Sequence, residues 1–138
     1  MANNYSEIRF LVVDDMATMR KVVSQQLKSI GATQIVEASD GNAAKTLLEK
    51  AAEIQEPVQF IIADWNMPNC TGLELLKHCR NDSVYKSVAF LLVTAESEMS
   101  QVSEAIAAGV DNYVVKPFSP TSLADKVALV YAKRFKGK

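Results

Sequence analysis

The chain alternates short, nearly unbroken apolar runs with longer stretches in which apolar residues recur every three or four positions. The runs lie at residues 10–13, 60–63, 88–93 and 113–115, with a weaker one at 34–37. Runs of that length, rich in β-branched and aromatic residues, predict strands buried on both faces, as in a parallel sheet covered by helices. After Asp15, the spacing of Met19, Val23, Leu27 and Ile30 predicts a first helix that stops at Gly31, a residue suited to a left-handed C′ position. Asp40-Gly41 opens a second helix with Ala44, Leu47, Leu48 and Ala51 on one stripe, ending before Pro57.

Thr71 and Glu74 form a Thr-x-x-Glu capping box ahead of Leu75, Leu76 and Cys79, which marks a third helix. Met99, Val102 and Ile106 share one face of a fourth that ends at Gly109. Ser119-Pro120 is an N-cap followed by proline at the first helical position, opening a fifth with Leu123, Val127, Val130 and Tyr131 buried. The order is therefore β-α five times: an α/β fold with a five-stranded parallel sheet, right-handed crossovers and helices on both faces. No linker, repeat or low-complexity stretch interrupts it, so residues 1–138 are expected to be a single domain with its core at about 8–136.

Composition narrows the function classes. At 138 residues, 49% hydrophobic and 22% charged, with a formal charge of −1, the chain has an ordinary globular balance and no general basic excess for nucleic acid. No apolar run is long enough for a membrane span and the N-terminus has no apolar leader core, so no membrane insertion is expected. Cys70 and Cys79 lack the paired spacing of a zinc or redox motif and read as free thiols of a reducing, cytoplasmic compartment. His78 reads as a surface residue, Met16, Met19, Met67 and Met99 as packing residues, and Trp65 as a partly exposed aromatic. Lys133, Arg134 and Lys136 begin a basic chain end, up to Lys138, that complements the last helix dipole and is otherwise solvated.

In open parallel sheets the functional crevice lies beyond the carboxyl ends of the strands. Asp14-Asp15, Asp64, Thr94 and Lys116-Pro117 each follow an apolar run directly, so all should converge on one edge. Taken singly, Asp15 reads equally as a helix cap and Lys116 as a loop charge. Together, three carboxylates would take up protons unless a cation neutralised them, and such hard oxygen ligands suit Mg²⁺. An acid cluster, a hydroxyl and a lysine form a site for a phosphoryl group, in which a carboxylate can itself be the nucleophile.

Five runs carry a resemblance across nearly the whole chain: Phe10-Leu11-Val12-Val13-Asp14-Asp15, Asp64-Trp65-Asn66-Met67-Pro68-Asn69, Gly72-Leu73-Glu74-Leu75-Leu76-Lys77, Val93-Thr94-Ala95-Glu96 and Tyr113-Val114-Val115-Lys116-Pro117-Phe118. In that order and spacing they resemble the receiver domains of two-component response regulators, most closely the chemotaxis members. The resemblance implies a flavodoxin-like strand order 2-1-3-4-5 and a stand-alone phosphorylation switch rather than an enzyme, acting catalytically only in its own phosphorylation and autodephosphorylation. It implies Asp64 as the phosphoacceptor for a histidine kinase, and Mg²⁺ held by Asp15, Asp64 and the backbone carbonyl of Asn66, with Asp14 reaching it through water. Thr94 and Lys116 would bind phosphoryl oxygens, Tyr113 would turn inward behind Thr94, and Asn66 and Glu96 would tune dephosphorylation.

Implied partners are the kinase, a flagellar motor switch protein whose binding controls flagellar rotation, and a phosphatase, with the receiver itself a monomer. The alternatives are a non-motor receiver acting as a phosphate sink or binding another target, and an aspartyl-nucleophile phosphatase. The phosphatase would need a second aspartate where Asn66 stands; a flavin module on this fold would need a Ser/Thr/Gly-rich loop after the first strand, which is absent. Departures from the family pattern are Cys70, Thr71, a longer stretch at 49–58, and Glu98-Met99 where chemotaxis members carry two lysines. The last reverses charge at the start of the helix that helps form the switch-binding surface.

Overall fold

The computed structural model describes residues 3–136, with the side chain of Lys136 left aside; Lys138, the far end of the expected basic tail, lies outside them. Five strands form one parallel sheet: β1 (Arg9–Val13), β2 (Gln34–Ala38), β3 (Phe60–Asp64), β4 (Ala89–Ala95) and β5 (Asn112–Lys116), in the order β2-β1-β3-β4-β5. Between and after them run α1 (Ala17–Ser29), α2 (Gly41–Glu53), α3 (Gly72–Arg80), α4 (Val102–Ala108) and α5 (Pro120–Tyr131). A 3-10 turn, Glu96–Gln101, precedes α4, and a π-helical turn, Ala132–Lys136, follows α5.

The period-two alternation of strand side chains divides the core into two layers. Leu11, Val13, Ile61, Ala63, Phe90 and Leu92 point to one face, where Ala44 and Leu48 of α2, Leu75, Leu76 and Cys79 of α3 and Ala105 of α4 cover them. Phe10, Val12, Phe60, Ile62, Leu91 and Val93 point to the other, under Val23 and Leu27 of α1 and Leu123, Val127 and Val130 of α5. Each fully buried side chain of this size contributes roughly 1.5–3 kcal/mol of transfer free energy.

The expected helix signals act as read. Asp40 accepts from the Ala43 N–H, Thr71 and Glu74 form the reciprocal capping box, and Ser119 caps α5 with Pro120 in its first turn. Gly31 (φ 110°) and Gly109 (φ 100°) take left-handed backbone after α1 and α4. Both cysteines are buried and free.

Several expectations are corrected. Burial on both faces holds for β1, β3 and β4, whereas the edge strands β2 and β5 each have one neighbour and leave most of their residues partly or fully exposed. Trp65 is buried, only 6% exposed, because it turns into the layer under α2 and α3. Met16 is 57% exposed beyond the end of β1 and packs no core. Ile106 is 60% exposed, since the buried face of α4 is centred between Val102 and Ala105. His78 is half-buried, its ring 6.5 Å from that of Tyr85.

Lys133 and Arg134 are not merely solvated. Asp111, whose side chain is fully buried, binds Arg134 Nε at 2.9 and 3.0 Å, Lys133 Nζ at 3.2 Å and Arg80 Nη2 at 3.2 Å, and accepts the Phe90 N–H at 2.9 Å. This ion cluster joins α3, β4 and the turn after α5 at the amino end of the sheet.

Candidate functional site

Parallel register brings the strand ends together. Val13 pairs with Ala63, Asp64 with Val93, Thr94 with Val115 and Ala95 with Lys116, so Asp14, Asp64, Thr94 and Lys116 finish at nearly one level. Asp14, Asp15 and Asp64 each place a carboxylate oxygen within 4.8 Å of the others. Lys116 Nζ lies 3.0 Å from Asp64 Oδ1 and 3.9 Å from Asp14 Oδ2. Asp14 also accepts the Met16 N–H at 2.9 Å through Oδ1. Asp15 does not cap α1, whose N-cap position is Met16, and Lys116 is an ion-pair member rather than a loop charge.

Asp14 and Asp64 are buried, whereas Asp15 is exposed. Burial pushes the Asp64 carboxyl up to about 6; its hydrogen bond from Lys116 pulls the other way, and the Asp14 charge adds to the rise. Asp14 is likewise raised, first by burial, with the Met16 N–H and Lys116 opposing. One ammonium therefore leaves the three carboxylates short of positive charge. That deficit and the oxygen-only donor set fit a hard divalent cation.

The carboxylates open into a cleft of about 280 Å³ lined by Asp15, Met16, Asp64, Asn66, Ala95, Ser97, Glu98 and Lys116. Asn66 is exposed on its wall. The loop beneath is fixed by backbone bonds, Trp65 N–H to Val93 O at 2.8 Å and Gly72 N–H to Trp65 O at 2.9 Å. Gly72 allows that approach: a Cβ there would collide with the Asp64 carbonyl oxygen and lie 2.8 Å from Leu92 Cδ2.

Thr94 is fully buried at the end of β4. Tyr113 is half-buried on β5 with Lys126 Nζ 5.5 Å from its ring centroid. Glu96 is exposed in the 3-10 turn and is not among the residues that line the cleft. In the sequence Glu98 reads as an acid of the outer helix surface, yet its carboxylate reaches back to the strand end, accepting the Ala95 N–H at 2.9 Å and the Thr94 hydroxyl at 3.3 Å through the same oxygen. The available signal was an acid three residues after a strand end, the spacing of the acidic half of a capping box.

A parallel sheet with an acid cluster and a lysine at its carboxyl edge defines a class, and the match is explicit: residues 10–128 fit the family described as response regulator receiver domain, to which this chain belongs. Similar chains include the chemotaxis protein CheY of Pseudomonas aeruginosa, 38% identical over 126 residues covering 91% of this chain and 98% of that protein. The chemotaxis protein CheY-3 of Vibrio cholerae is 37% identical, covering 91% and 93%. Among solved structures, the chemotaxis protein CheY4 of Vibrio cholerae superposes with a TM-score of 0.76 at 35% identity, covering 89% of this chain and 98% of that one. Among the described residues no helix is long and apolar enough to cross a membrane.

Proposed function

We propose that this receiver is a cytoplasmic phosphorylation switch that takes a phosphoryl group onto Asp64 from a histidine kinase and signals through phosphorylation-dependent protein binding in chemotaxis. The observation that carries the reading is the meeting of Asp14, Asp15 and Asp64 with Lys116, 3.0 Å from Asp64, in a cleft at the strand ends. The names of the similar chemotaxis proteins support the pathway.

An ionised Asp64 oxygen attacks phosphorus, the new O–P bond forming as the bond to the donor histidine nitrogen breaks and that nitrogen keeps the electron pair. Asp15, Asp64 and the Asn66 carbonyl would hold Mg²⁺, with Asp14 supporting it through water; the ion supplies charge neutralisation for the oxygens in transit. Lys116 keeps Asp64 oriented and meets the incoming negative charge, and the Thr94 hydroxyl is the nearby side-chain donor on β4 for a phosphoryl oxygen. Tyr113 on the adjacent strand reports the change, and Asn66 and Glu96 set the approach of hydrolytic water. Such transfer is positioning and electrostatics rather than enzyme turnover of a separate substrate.

Incubation with Mg²⁺ and acetyl phosphate followed by intact-mass measurement tests the proposal. One added phosphate, lost in Asp64→Asn, is expected; no addition, or addition unaffected by the substitution, refutes it. A second reading, a non-motor receiver that drains phosphoryl groups or binds another target, is favoured by Glu98 and Met99 at the entry to α4, with Glu98 turned inward. Capture of purified flagellar switch protein before and after phosphorylation separates the two, because the motor reading requires enhanced capture.

A further inference from the structure

Glu98 lies at the third position of the 3-10 turn Glu96–Gln101. One carboxylate oxygen accepts both the Ala95 N–H, at 2.9 Å, and the Thr94 hydroxyl, at 3.3 Å. The hydroxyl divides its single proton between this oxygen and the Ala95 carbonyl, 3.2 Å away. Thr94 is fully buried, and Glu98 lines the same cleft as Asp64 and Lys116. An anionic oxygen thus rests on a hydroxyl and a backbone N–H at the rim of the site, the donor pair that an anionic phosphoryl oxygen would also seek.

We infer that Glu98 is a positioning residue that stands in for the phosphoryl group in the resting protein, holding Thr94 and the Ala95 N–H until phosphorylation of Asp64 expels it. The inference rests on the phosphoacceptor reading of Asp64. One hydroxyl proton cannot fully serve both anions, and two anions in a partly desolvated cleft repel far more than in water. The same carboxylate closes the turn in front of α4, since Ala95 has no side-chain acceptor to share that task. Expulsion therefore passes the Ala95 N–H from the Glu98 carboxylate to the phosphoryl group, takes away the bond that closes the turn and loosens the entry to α4. The acid both sets the threshold for accepting the phosphoryl group and transmits its arrival.

The test is the affinity of the full chain for beryllium trifluoride with saturating Mg²⁺, a phosphoryl mimic that needs no turnover, measured by calorimetry for wild type, Glu98→Ala and Glu98→Gln. Removing the competing acceptor is expected to tighten binding about tenfold, the worth of one charge-assisted hydrogen bond. Glu98→Gln falls between, because its amide oxygen still accepts but carries no charge. In a Thr94→Ala background the gain from Glu98→Ala shrinks to about threefold or less, since half of the contested donor pair has gone. The Ala95 amide proton resonance, read by NMR without ligand, should move upfield in Glu98→Ala as its carboxylate acceptor is lost, and return downfield when the mimic binds. Wild-type binding with Glu98→Ala unchanged within twofold, or weaker, overturns the latch and leaves the phosphoacceptor reading intact. Binding by neither protein overturns both.

Discussion

Replacing Asp64 by Asn should make the resting protein more stable, not less. The Asp64 carboxyl is pushed up to about 6 by burial and the Asp14 charge, against an ordinary value of 3.8, and the opposing Lys116 bond does not cancel the rise. Between those two values Asp64 binds more proton in the folded chain than in the unfolded one, so its contribution to stability falls as pH rises from about 4 to 6 and is flat above. The rise is about two pH units, at about 1.4 kcal/mol each, so the ionised carboxylate costs up to about 3 kcal/mol at pH 8. Asparagine keeps the shape and an acceptor for Lys116 but carries no charge. With an unfolding entropy of about 2.1 cal/mol/K per residue over 138 residues, 3 kcal/mol corresponds to about 10 °C in Tm. Thermal unfolding in EDTA should show this gain at pH 8 and almost none at pH 4. Mg²⁺ at a hundred times its Kd stabilises wild type by about 2.7 kcal/mol and should nearly close the gap. An Asp64→Asn protein that melts at or below wild type at pH 8 in EDTA would refute the reasoning, because the cluster would then be balanced without an added cation.

The same raised carboxyl predicts that protons compete with the metal. The apparent Mg²⁺ affinity, followed by Trp65 fluorescence, should weaken by about tenfold per pH unit below 6 and level off above 7; a flat profile would contradict it. Asp111→Ala leaves the largely buried Arg80 without its carboxylate partner and should cost about 3 kcal/mol in urea unfolding, whereas Lys133→Ala, at the exposed edge of that cluster, should cost about 1 kcal/mol or less. Gly72→Ala drives a methyl into the Asp64 carbonyl and Leu92. It should lose about 1–3 kcal/mol and, by moving the backbone of Asp64, also weaken Mg²⁺ binding by calorimetry; unchanged metal affinity would show that the loop yields elsewhere.

The central strands were legible because burial on both faces writes itself as an unbroken apolar run, as in Phe60–Asp64. Their polar terminal residues were legible for the same reason: parallel strands in register deliver them to one edge. Edge strands defeat that rule, since Gln34–Ala38 has a neighbour on only one side and admits Gln34 and Glu37. Ile106 was misplaced because a 3-10 turn, not α-helix, leads into α4, so counting from Met99 at helical spacing rotates the stripe away from its true centre. Asp111 gives no local sign of burial, its cations being at positions 80, 133 and 134, and the inward turn of Glu98 depends on a fold-level meeting with Thr94.

β4 has one fixed end and one loaded end. At residue 90 its backbone N–H is tied to the Asp111 ion cluster, and at residue 94 its hydroxyl donates to Glu98, which lines the cleft. Between them it is hydrogen-bonded to neighbours on both sides. A strand bounded in this way cannot slide to absorb a pull on Thr94, so the displacement has one compliant outlet, the short turn that follows it. The ion cluster at the far pole thus acts as an anchorage, giving a small chemical event at one edge of the sheet a direction as well as a magnitude.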